Sequence, residues 1–402
     1  MIQTGDFKFI RTLNGQLVLN MIRKHEVISS TELTTITGLR PSTIFNILKE
    51  LSDKTLILNL GKGDSTEKGG KKPYLWELNK DAAYVIGLDI EINNITAVIL
   101  DLKGNLLHHS TLKFEKLQSE EELINVINSI VQNILEKSKI EQEKFLGLGI
   151  AMPAIVDSEM GVVKRTDVIS DKNIPLTNKL NEYYKFPIVV ENNANSTAVG
   201  AKWVGAGKDF KNFLVVLAEF DQKVGGMGVG ILIDEHLYNG HTNCAGELNI
   251  PILNLGQMLI YIRNQISQSE YLREYDLKIE ELTVDILIEA AKAGDELAIS
   301  LFKRLGTQIG EIISNSISLL NPEALIVAGN ISDLDDIIID PIREVINLKS
   351  LPFITQKLKV IPSLHGPNSV ATGAASLILN EFFKIPIVKR KGISENISIF
   401  SE

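Results

Sequence analysis

Residues 190–200 read VENNANSTAVG. Here a strand-like apolar run ends in two adjacent amides, Asn192 and Asn193, while Glu247 lies in a second polar stretch, HTNCAGELN at 241–249. A carboxamide both donates and accepts hydrogen bonds, and a carboxylate accepts from two donors, so this set suits a ligand rich in hydroxyls. It does not suit proton abstraction at Asn193, since an amide takes no proton at any useful pH. The asparagines could instead cap a helix that starts near Ala194, and the two roles are compatible.

Other reactive residue types form no constellation. The six histidines (25, 108, 109, 236, 241 and 365) lack ligand or triad spacing, although His241 is close enough in sequence to Glu247 to line the same pocket. Cys244 is the one cysteine, so neither an internal disulfide nor a cysteine-rich zinc site is available. The glycines of GMGVG at 226–230 could admit a phosphate, but close packing of a strand selects the same residues, and that structural use is the expectation. No metal, cofactor or catalytic residue is assigned.

The elements that must position these groups begin near Ala83. AYVIGLDIEINNITAVILDLKGNLLHHSTLKF predicts three strands with a Lys-Gly-Asn turn at 103–105, and SEEELINVINSIVQNILEKSK an amphipathic helix with Ser119 and Glu122 in capping-box relation. FLGLGIAMP predicts a strand ended by Pro153, and PIVVEN a strand feeding the amide pair. FLVVLAEF, GMGVGILID and PEALIVAGN follow as further strands, with long helical segments from about 254 to 320 and a small-residue helix in SVATGAASLILNEFF. Strands alternating with helices predict an α/β body of two similar lobes over a cleft.

The first eighty residues follow another plan. Leu13–Lys24 has one helical face of Leu13, Leu17, Asn20/Met21 and Lys24 with Val18 and Ile22 beside it; a second helix starts at the Ser29/Glu32 capping box and stops at Gly38. A third begins at Pro41 with Ile44, Ile47, Leu48 and Leu51 inward. LILNLGKGDSTEKGGKKPYLWELN then predicts two strands around a basic loop. Helices joined by a glycine turn, followed by such a loop, make a winged helix-turn-helix. Ser42, Thr43 and Asn46 would meet base edges and Lys49 a phosphate, while Lys62, Lys68, Lys71 and Lys72 of the wing would contact the backbone or a minor groove. The expected organisation is a DNA-binding domain over 1–80, a ligand and assembly domain over 81–385 and a tail over 386–402.

Charge agrees. The 402 residues carry a net −9, yet residues 1–80 hold 12 Lys/Arg against 8 Asp/Glu and the rest 29 against 42. A basic head on an acidic body directs only the head to phosphate. The absence of a long apolar run or a signal-type leader, together with the single cysteine, predicts a cytoplasmic protein with no membrane partner.

Over nearly its full length the sequence resembles the ROK family of sugar kinases and sugar-responsive repressors on the actin-like ATPase fold. GGKKPYLWELN stands where the repressors' winged head ends; IGLDIEINNITAVILDLKGNLL, LGLGIAMPAIVD, VVENNANSTAVGAKW, HTNCAGELNI and NPEALIVAGN follow in family order. The resemblance implies sugar contacts at Asn192, Asn193 and Glu247 near the turn at Pro153, with a further contact position near Val168. Three departures bear on activity. Asp89 is followed by IEINN in place of the small D-x-G-G-T turn that admits phosphate; Asn193 replaces the catalytic Asp; and Ile250 replaces the zinc-site His, with no cysteine run. The expectation is a non-enzymatic DNA-binding regulator, most simply a repressor of carbohydrate-utilisation genes, bound as homodimer or homotetramer to a pseudopalindromic operator and released by a small saccharide. The alternatives are a regulator with a vestigial or non-sugar pocket, and a kinase with an added head.

Overall fold

The computed structural model describes residues 7–63, 72–220, 225–248, 283–385, 388–389 and 392–393, with positions 260, 265, 269 and 271–272 between. The head comprises α1 (Phe7–His25), β1 (Val27–Ser29), α2 (Ser30–Thr37), α3 (Pro41–Asp53), β2 (Ile57–Lys62) and β3 (Tyr74–Leu78). Ser29 accepts from the Glu32 amide and the Glu32 carboxylate accepts from the Ser29 amide, a reciprocal box that starts α2. Gly38, at φ 69°, stops it in the left-handed region that glycine enters without strain. Ile44, Ile47, Leu48 and Leu51 form the buried side of α3, as their spacing predicts. β2 and β3 make the wing; β1, too short to show a period in the sequence, adds a third strand in the order β1-β3-β2. Lys68 and Lys71 lie outside the described residues.

Helix α1 departs from expectation. It starts at Phe7, and its buried side is Gln16, Val18, Leu19, Asn20 and Ile22, while Leu13 and Leu17 are only half-buried. The cause is packing on two fronts: α1 closes the head and also docks on the body, so its apolar stripe is not that of a simple surface helix.

The body contains two sheets built to one plan. The first lobe holds β4 (Tyr84–Ile90), β5 (Asn94–Asp101), β6 (Leu106–Lys113), α4 (Glu120–Ser138), β7 (Phe145–Met152), the hairpin β8 (Ala154–Asp157) and β9 (Val162–Thr166), α5 (Leu176–Leu180) and β10 (Ile188–Asn192). Its order is β10-β7-β4-β5-β6, parallel across β10, β7 and β4 and antiparallel beyond. After α6 (Asn193–Trp203), the second lobe repeats order and sense with β11 (Phe213–Phe220), β12 (Gly225–Ile233), β13 (His236–Leu237), β14 (Ala324–Ala328) and β15 (Lys359–Pro362), as β13-β12-β11-β14-β15. Its helices are α7 (Val284–Lys292), α8 (Glu296–Leu320), α9 (Asp336–Lys349) and α10 (Pro352–Thr355). The duplicated order is the two-lobed actin-like fold. Ser119 caps α4, but the Glu122 carboxylate turns to the Gln118 amide, so the box expected there is not reciprocal.

The last long helix, α11 (Ser369–Phe383), returns to the first lobe and lies against its sheet and α6. Its small residues meet glycines: a Cβ at Gly149 would stand 1.8 Å from the Ala374 carbonyl oxygen. Gly228 and Gly230 serve the same purpose, since a Cβ at Gly230 would stand 2.4 Å from the Ala194 carbonyl oxygen of α6. Beyond α11, β16 (Val388–Lys389) and β17 (Gly392–Ile393) pair in the tail, where the sequence shows no periodicity.

Candidate functional site

Three parallel strand ends converge in the first lobe. Register pairs Asp89 of β4 with Ala151 of β7, and Asn192 of β10 with Met152, which precedes Pro153. Ligands of open α/β sheets collect at such carboxyl ends, and α6 starts beside them. Asn192 is the N-cap of α6: its side-chain oxygen accepts from the Ala194 and Asn195 amides. Its NH2 group donates to the Ala154 carbonyl at 3.1 Å and to Glu247 Oε1 at 3.3 Å. Capping and ligand-type contacts therefore meet in one side chain, and the bond to Glu247 spans the two lobes. Protein packed around the Glu247 carboxyl raises its pKa from the usual value, although one side stays open to solvent and limits the effect. Asn193 is half-buried, with its side-chain oxygen 2.9 Å from the Ala194 amide.

Beneath this pair lies Glu191, a buried carboxyl to which the sequence reading assigned no role. It accepts from Ser158 Oγ at 2.6 Å, the Asn192 amide at 2.8 Å and Asn195 Nδ2 at 3.1 Å. Burial pushes its pKa up while these three donors pull it down. It fixes the Asn192 backbone and ties the β8–β9 hairpin to α6. The signal was present, since a Glu inside an apolar strand is rarely buried without partners.

Two expected members fall elsewhere. Val168, near which a further contact was expected, is fully buried in the first-lobe core. His241 is exposed in the loop before Glu247, and among the described residues no hydrogen bond joins the two. Pro153 is half-buried and its carbonyl accepts from Thr166 Oγ1. Beside it a groove of about 320 Å³, lined by Lys116, Arg165, Asp167 and Lys172 among others, does not include Asn192 or Glu247.

The turn after β4 carries side chains where phosphate approach needs none. The Glu91 amide is taken by the Asn94 carbonyl, and the Glu91 carboxylate accepts from Asn94 Nδ2 at 2.5 Å. A negative charge at this turn opposes an incoming phosphate. Among the described residues no group of three His, Cys, Asp or Glu is placed to hold a metal, and no helix is long and apolar enough to cross a membrane.

On the head, Ser42, Asn46 and Lys49 are exposed along α3, and Lys62 and Lys72 are exposed on the wing. Thr43 is half-buried and faces a groove of about 530 Å³ between α3 and α1, lined also by Arg11, Asn14 and Glu50. Arg11 donates to Glu50 across that groove. This head is locked to the body. Gln16 and Asn20 of α1 donate to the carbonyls of Phe382 and Phe383 at the end of α11, and Arg23 packs against the adjoining rings of Trp203 and Phe383. Glu235, in the β12–β13 turn of the second lobe, pairs with Lys24 of α1 and Lys202 of α6. Local periodicity could not reveal contacts between such distant segments.

The sequence pattern described as ROK family matches residues 85–253 and 262–381. The chain belongs to the ROK family. It is similar to a protein named xylose repressor from Caldicellulosiruptor bescii, 25% identical over 95% of this chain and 99% of that one. It is also similar to the DNA-binding transcriptional dual regulator NagC of Escherichia coli, 22% identical over 94% of each. Among solved structures, a ROK family transcriptional regulator described as a homologue of the E. coli MLC protein superposes with a TM-score of 0.74 at 22% identity, covering 92% of this chain and 96% of that one. A ROK family glucokinase from Streptomyces griseus, in complex with glucose and AMPPNP, gives 0.63 at 23%, covering 73% of this chain and 99% of that one. The ROK pattern begins just past the head.

Proposed function

We propose that this ROK protein is a non-enzymatic transcriptional regulator, a repressor of carbohydrate-utilisation genes, whose hold on DNA is set by a saccharide bound between its lobes. Residues 1–80 bind the operator through Ser42, Asn46 and Lys49, with Thr43 beside them, and through Lys62, Lys71 and Lys72 of the wing. Residues 81–385 bind the sugar through Asn192, Asn193 and Glu247, with Pro153 and His241 at the margin. The protein works in the cytoplasm as a homodimer or homotetramer on a pseudopalindromic site.

One observation carries this reading: the hydrogen bond from Asn192 to Glu247 joins the lobes at the place where hydroxyls would bind. A sugar that takes over those donors and acceptors changes the lobe contact, and the head is fastened to both lobes through Arg23, Lys24 and Glu235. Coupling of about 1–3 kcal/mol between sugar and DNA is enough for a 5- to 150-fold response. The full-length similarity to proteins named repressors supports the same view, and Asn193 and the Glu91 turn weigh against phosphoryl transfer.

The test is anisotropy of labelled DNA from upstream of the gene, titrated with the protein across pentoses, hexoses and short oligosaccharides. Release by one sugar is expected, without ATP consumption. Binding that no sugar disturbs would point to a vestigial or re-purposed pocket, and sugar-dependent ATP turnover would overturn the non-enzymatic reading.

A further inference from the structure

Phe45 stands 67% exposed in the middle of α3. Single exposed apolar residues are ordinary on protein surfaces, so its meaning comes from its place. Ser42, Phe45, Asn46 and Lys49 occupy one face two turns long, at helical spacings of three and four, and all four are exposed. Ile44, Ile47, Leu48 and Leu51 hold the opposite face in the core, so the helix cannot turn Phe45 inward without lifting those four out. The head docks on the body through α1, which leaves this face of α3 uncovered by the other described residues.

The face therefore presents one large apolar group among three hydrogen-bonding ones, in the helix proposed to enter a major groove. The base edges of a major groove present one aliphatic group, the 5-methyl of thymine, while the other edge atoms are donors and acceptors. Asn46, the next residue, has the side chain that pairs bidentately with adenine N6 and N7. A phenyl ring beside an adenine reader fits a step in which thymine and adenine are neighbours.

We propose that Phe45 reads a thymine methyl group in each operator half-site, next to the base contacted by Asn46. The inference rests on the DNA-binding reading above and adds the chemistry of its sequence preference. It makes Phe45 a specificity-determining residue. Loss of its ring relaxes the choice of base at one position and leaves phosphate contacts intact.

Full-length protein would first select duplexes from a randomised pool. Each thymine of the selected half-site would then be replaced in turn by deoxyuridine, which removes only the methyl group. For the wild type, one replacement per half-site is expected to weaken binding about fourfold, the worth of one buried methyl. The same replacement should leave Phe45→Ala unchanged, while Phe45→Leu, still apolar, keeps part of the discrimination. Indifference of the wild type to every replacement, or an equal loss in Phe45→Ala, overturns the assignment while DNA binding itself stands. Failure to retain any duplex at low salt overturns the DNA-binding reading and this one with it.

Discussion

The guanidinium of Arg23 lies 4.1 Å over the ring of Trp203, so the head's first helix rests on the last residue of the helix that Asn192 caps. The Phe383 ring, itself 5.4 Å from the Trp203 ring, lies 5.3 Å from the same guanidinium, and Trp203 Nε1 donates to Asn380 of α11. Burial lowers the Arg23 pKa to about 10, with Glu235 opposing the shift, and the group stays charged at neutral pH. A cation held against desolvated ring faces is worth up to about 2 kcal/mol. Trp203→Ala should therefore loosen the head by about that amount. Limited proteolysis is expected to release it faster, with operator binding kept and the sugar response reduced. A proteolysis rate and sugar response equal to wild type would rule out this joint as the coupling element.

Glu247→Gln should leave operator affinity unchanged and remove most of the sugar response, because one of its two accepting oxygens becomes an NH2 donor and the negative charge is lost. The raised pKa adds a pH dependence. Ionised carboxylate is the accepting form, so in the wild type the response should fade as pH falls through a value above the ordinary carboxylate one. The residual response of the variant should be flat over that interval. A sugar titration repeated across pH reads both effects, and undiminished release by Glu247→Gln would remove this residue from the pocket.

Lys62→Ala with Lys72→Ala tests the wing. Each phosphate contact contributes about 0.9 to the slope of log affinity against log salt, so losing two should flatten the slope by about 2 per head. An unchanged slope would show that neither lysine touches the backbone.

Glu191 supplies a stability test. Its folded pKa lies above the unfolded one, so its contribution is fully present below the unfolded pKa and lost as pH rises through the folded pKa. Glu191→Gln removes that slope. Melting temperature against pH should then fall less steeply on the neutral side for the variant than for the wild type, and parallel curves would mean that the buried carboxyl does not titrate there.

Gly149→Ala tests the seat of α11. The added Cβ would meet the Ala374 carbonyl, which belongs to a helix backbone and cannot step aside. A loss of about 3 kcal/mol, at the upper end for overpacking, is expected from urea unfolding. An effect under about 1 kcal/mol would mean that α11 shifts freely on the sheet.

What the sequence disclosed was local. The Ser29/Glu32 box, the Gly38 stop and the inward face of α3 are set by residues three or four apart, and each is legible as spacing. Asn192 was also legible, because a cap is a local device. The partners of Glu191 and the Arg23 joint were not, since they depend on Ser158, Trp203 and Phe383, brought close only by the tertiary fold. The shifted stripe of α1 belongs with them: two packing fronts blur a helical period. Val168, near which the family alignment placed a further contact, is itself a core residue.

Gln16 and Asn20 find their acceptors 366 and 363 residues further along the chain. During synthesis the head emerges well before its anchor in α11. Until then a ribosome-bound head is untethered to the lobes. A chain cut short before α11 would keep its DNA-reading surface and lose the part that restrains it, so truncation is expected to free the head from control rather than silence it.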